Sequence, residues 1–118
     1  MLLRALLSWI MLPVYVWQGL RVRMRIERLL PANVPTRGTV GEEHGGEPIR
    51  LLAIGDSTVA SVGMEALEDT FAYSLARSGS ETHQKQVVWR AIGANSATSG
   101  ELRDFIVPHV DQRDWTHI

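Results

Sequence analysis

The stretch Ile49-Arg50-Leu51-Leu52-Ala53-Ile54-Gly55-Asp56-Ser57 decides how the rest of the chain is read. Five of its first six residues are apolar and two are β-branched, a short buried strand by composition, and it runs without a break into Gly-Asp-Ser. A strand that ends on glycine can turn sharply and leave the next side chains at the carboxyl edge of a sheet, where open α/β folds place their ligands. Ser57 is thereby nominated as a nucleophile.

Downstream, the pattern alternates. Glu65 to Ser78 places Leu67, Phe71 and Leu75 at helical spacing, with Gly79 as the expected stop, and Val87 to Ile92 is a second β-rich run. Strand, helix and strand in this order predict a parallel pair joined by a crossover. After Gly93, Thr98 stands three residues ahead of Glu101, the spacing of a capping box, and opens a second helix through Leu102, Phe105 and Ile106 that Pro108 halts. Trp115 to Ile118 reads as entry to a third strand.

Upstream the composition changes twice. Residues 31–48 are rich in Pro, Gly and charge without an apolar period, which predicts a flexible linker. His44 lies in it beside Glu42, Glu43 and Glu47, and with no rigid element to fix their geometry these are expected on a solvated loop, not around a metal. Residues 1–30 are a hydrophobic and basic segment: Met1 to Leu20 is nearly all apolar, broken by Arg4, Ser8, Pro13, Gln18 and Gly19, and is followed by Arg21, Arg23, Arg25 and Arg28. A membrane anchor or interfacial helix, a cleaved signal peptide and a buried helix are the three readings. Charge that follows the apolar run, with no Ala-x-Ala site behind it, favours the first. Continued as a helix, Arg21, Arg25 and Arg28 share one face and Val22, Ile26 and Leu29 another, with Trp9, Tyr15 and Trp17 suited to an interface. By the positive-inside tendency these arginines set the body on the cytoplasmic side.

Charge and cysteine content narrow the function classes. Residues 1–30 carry five Arg against one Glu, whereas residues 31–118 carry seven Lys/Arg against twelve Asp/Glu. A basic head thus precedes an acidic body, which argues against nucleic acid as the body's partner. With no cysteine there is no disulfide framework, thiolate nucleophile or Cys-based metal site.

Residues 49–118 resemble the N-terminal portion of an SGNH hydrolase, the GDSL esterase/lipase family. The resemblance is carried by Leu51 to Thr58, by Ala60-Ser61-Val62-Gly63, and by Trp89-Arg90-Ala91-Ile92-Gly93-Ala94-Asn95-Ser96-Ala97-Thr98-Ser99. It implies a three-layer α/β/α parallel sheet, incomplete here, and ester hydrolysis through an acyl-serine intermediate on Ser57, with no cofactor or metal. Gly55 and Asp56 support the motif. The implied oxyanion hole takes the backbone N–H of Ser57 and that of Ser96, which stands where the family has glycine; Gly93 is the alternative if the register slips by three. Asn95 reads as a loop-fixing side chain. The implied substrate is a small-molecule, lipid or carbohydrate ester.

The family's Gly-x-Asn-Asp block and distal Asp-x-x-His are absent, so the chain is expected to be the truncated N-terminal part of such an enzyme. Asp114-Trp115-Thr116-His117 has the Asp-x-x-His spacing, but on a strand entry those side chains diverge, and the match is read as coincidence. Two rivals accompany the esterase reading. One is a non-catalytic homologue that docks at a membrane or a partner. The other is a phosphate-binding module, disfavoured because the loop from Gly55 to Gly63 carries neither glycine-rich phosphate motif.

Overall fold

The computed structural model describes residues 2–27, 29–111 and 114–118. It is a mixed α/β body preceded by a long apolar helix, α1, Leu2–Arg25. None of the residues of α1 is buried against the body, and the helix is long and apolar enough to cross a membrane. At 24 residues it extends about 36 Å, roughly half the 70 Å long axis of the molecule, so the body stands off its end. The basic amphipathic extension expected to Leu29 is cut short. The last helical bond is Ile26 N–H to the Val22 carbonyl, and Arg28, one of the expected basic residues, lies outside the described residues.

The sheet has three strands, β1 (Arg37–Val40), β2 (Ile49–Gly55) and β3 (Val87–Gly93), in the order β1-β3-β2. β2 and β3 are parallel in the register Ile49↔Val87 through Gly55↔Gly93, as the alternation of elements predicts. β1 corrects the linker expectation for residues 31–48: Arg37–Val40 is a strand, antiparallel to β3, with Arg37 opposite Arg90 and Val40 opposite Val87.

The crossover helix α2, Phe71–His83, starts at Thr70 and ends on Gln84, whose φ of 50° is a left-handed helix stop. Gly79 does not terminate it, because a glycine inside a helix costs only about 1 kcal/mol. The packing face also differs from the expected Leu67, Phe71 and Leu75. Ala72, Ala76 and Ser80, four residues apart, are the buried residues of α2, whereas Phe71 and Leu75 remain 46% and 44% exposed. Small side chains let the helix lie close to the sheet, where Trp89 supplies the volume. Trp89 is 3% exposed and meets Tyr73 edge-on at 6.2 Å between ring centroids. Ala53, Ala72, Ala76, Val87 and Trp89 form the core cluster.

Beyond β3 the capping box forms as expected. Thr98 Oγ1 accepts from Glu101 N–H at 3.3 Å, and Glu101 Oε2 accepts from Thr98 N–H at 2.7 Å. α3 (Ser99–Glu101) then loosens into a wide turn at Leu102–Ile106, closed by the Val107 N–H on the Leu102 carbonyl, and a tight turn at Val107–His109. Pro108 explains the irregularity, since it has no N–H and its ring crowds the preceding turn. The end of the chain returns to the free edge of β2. His117 bridges Leu51 in parallel, and the N–H groups of Thr116 and His117 both donate to the Arg50 carbonyl.

Candidate functional site

Because β2 and β3 are parallel and end in register at Gly55 and Gly93, the two motifs that follow them leave the same edge of the sheet. The Ser57 turn is built by its neighbours. Asp56 Oδ1 accepts from the Thr58 N–H at 3.0 Å, the local bond by which aspartate holds a turn. The Asp56 carbonyl accepts from Ala60 N–H, and the Ser57 carbonyl from Val62 N–H, each at 3.0 Å. Ser61, buried and at φ 56°, closes the turn.

Two glycines make room for this fold-back. A Cβ on Gly55 would stand 2.5 Å from Val59 Cγ2. A Cβ on Gly93 would collide with the backbone of Val59 and Ala60, so the turn after β2 rests directly on the end of β3. The Ala94 N–H donates to the Gly55 carbonyl at 3.0 Å and ties the two strand ends together. Gly93, the alternative oxyanion residue, is therefore the platform under the Ser57 turn.

Asn95 and Ser96 are the central residues of the next turn, closed by Ala97 N–H on the Ala94 carbonyl at 3.2 Å. Ser96 has φ 62°. This is the left-handed conformation that favours glycine, held here by a serine at about 1–2 kcal/mol. The departure from glycine read in the sequence thus coincides with a backbone that would suit glycine better. Asn95 Oδ1 accepts a long bond from Ser96 Oγ at 3.4 Å, local to the turn. Beside it runs a groove of about 230 Å³ lined by Ala94, Asn95, Ser96, Ala97, Glu101, Phe105 and Ile106.

The histidines lie elsewhere. His117 is level with Leu51, four residues before Gly55 along β2, which at the rise of a strand is about 13 Å short of the strand end. Its Nδ1 lies 3.0 Å from Thr116 Oγ1. His44 pairs with Glu43 at 3.5 Å, and His83 lies at the end of α2, in the wall of an apolar groove. Among the described residues Ser57 Oγ makes no hydrogen bond to a side chain that would activate it.

The site has a further component that composition concealed. Leu30 carbonyl accepts from Gly63 N–H and Ser61 carbonyl from Ala32 N–H, each at 3.1 Å, and Pro31 bridges Val62 in antiparallel sense. Residues 29–32 are thus strapped along Ser61, Val62 and Gly63 at the end of the Ser57 turn. Their only sequence signal is the absence of side chain at Gly63, where Leu29 Cδ1 stands 2.8 Å from the position a Cβ would take. No family model matches the chain, and neither does any curated protein or solved structure.

Proposed function

We propose that the chain carries the nucleophile end of a serine ester hydrolase of the SGNH (GDSL) type, with Ser57 attacking the ester carbonyl. One observation carries this reading: two motif-bearing turns leave one edge of a parallel pair, interlocked through Gly93 and through the Ala94 to Gly55 bond. Sheet edges of this kind are where α/β folds put ligands. In the proposed reaction the Ser57 oxygen bonds to the acyl carbon, the alcohol leaves with a proton, and water then releases the acid from the acyl-enzyme. Backbone N–H groups of Ser57 and Ser96 serve the developing oxyanion. Chemistry of this type also calls for a histidine and an aspartate to activate Ser57, within a three-layer α/β/α sheet.

The body is assigned to the cytoplasmic side of a membrane, because Arg21, Arg23 and Arg25 follow the apolar run of α1. A non-catalytic docking module is the second reading, favoured because, among the described residues, no side chain hydrogen-bonds the Ser57 hydroxyl. A fluorophosphonate probe applied to the protein in its own membranes separates the two. Labelling that disappears in Ser57→Ala supports the hydrolase; labelling that survives this substitution, or none in the parent protein, removes it.

A further inference from the structure

The direction of β1 determines at which edge of the sheet the chain enters the body. β1 runs antiparallel to β3, from Arg37 opposite Arg90 to Val40 opposite Val87, so the chain enters the body at the carboxyl edge and descends toward the amino edge. It then returns through residues 41–48 to start β2. The strap at 29–32 fixes that entry point on Ser61, Val62 and Gly63, and Val62 N–H is bonded to the Ser57 carbonyl. From Arg25 at the end of α1 to Pro31 there are six residues, at most about 20 Å of chain. The amino edge lies about 20 Å farther, the length of β3.

The surface around the strap is suited to lipid. Leu29, Leu30 and Met64 are 59%, 79% and 43% exposed, an apolar knob next to the Ser57 turn, and Arg23 and Arg25 stand in the last turn of α1. Apolar side chains flanked by arginine bind an anionic interface through burial and charge together.

From this topology we infer that the strap holds the Ser57 edge against the bilayer surface, so that the substrate is an ester on a membrane-inserted amphiphile and not a freely soluble one. The substrate class rests on the hydrolase reading above; the placement of the edge does not.

Because the chain has no cysteine, placement is measurable with single labels. Thr58→Cys, on the exposed side of the turn, and Lys85→Cys, just before β3, are each labelled with bimane in the full protein. Both are reconstituted in phosphatidylcholine–phosphatidylglycerol vesicles containing a headgroup-nitroxide lipid. Quenching at position 58 should exceed that at 85 several-fold, and equal or reversed quenching overturns the placement. A twenty-residue Gly/Ser insertion between Ile26 and Glu27 leaves the strap intact and lengthens only the tether. It should cut hydrolysis of a vesicle-borne long-chain ester roughly tenfold while leaving a water-soluble short-chain ester unchanged; equal retention of both activities overturns the substrate class. Hydrolysis of neither ester by the parent protein removes the hydrolase reading, and the quenching comparison still decides the placement.

Discussion

The two edges of the sheet are built differently although they flank the same parallel pair. On one side β1 adds four residues to β3, Gly38 lies against the indole of Trp89 with its missing Cβ 3.3 Å from the ring, and α2 covers the core with alanines. On the other side, among the described residues, β2 meets the chain again only around His117. There a groove of about 480 Å³ lined by Ile54, Phe71, Leu75, His117 and Ile118, among others, remains open. The core cluster surrounds Trp89, whereas near the β2 edge Leu52 is buried but Phe71, Leu75 and Ile118 stay in contact with solvent.

The largest expected effect breaks this comparison outright. Trp89→Ala should destabilise the body by about 3–5 kcal/mol, whereas Leu75→Ala, which removes a side chain already 44% exposed, should cost under about 1 kcal/mol. Urea unfolding in detergent measures both, and equal losses would show the edges to be energetically alike. Next comes Gly93→Ala. Its methyl group has nowhere to go but into the Val59–Ala60 backbone, so a loss of about 1–3 kcal/mol is expected, together with loss of fluorophosphonate labelling at Ser57.

The open edge gives the smaller effects. His117→Ala should leave ester hydrolysis by the protein within a few-fold of the parent, since the ring sits level with Leu51, whereas loss of a true triad histidine costs orders of magnitude. The smallest effect lies away from both edges. Hydrogen bonds from the Thr98 backbone and side chain hold the Glu101 carboxyl below its ordinary range. A depressed carboxyl contributes stability above its ordinary range and loses it as pH falls through the folded value. Thr98→Ala should therefore flatten the acid side of the stability profile slightly, as read by circular dichroism against pH.

Local signals account for what the sequence discloses. β2 and β3 are apolar runs bounded by turn residues, and the Thr98–Glu101 box is a contact within one helical turn. β1 escapes such a reading because Arg-Gly-Thr-Val has too few residues for a pattern, and its partner is Val87–Arg90, fifty residues away. The strap is hidden for the same reason, its bonds being backbone to backbone. On α2 the apolar period points to Phe71 and Leu75, but the bulk of Trp89 on the sheet makes the alanine face the one that fits.

The position of β1 has a consequence for synthesis. Arg37 pairs with Arg90, so β1 leaves the ribosome 53 residues before its partner, and a chain made at about 5–20 residues per second holds it unpaired for roughly 3–10 seconds. By then α1 has already emerged. Once β3 arrives, β1 and β2 dock on opposite sides of it, and the middle strand of the sheet is the last of the three to be made.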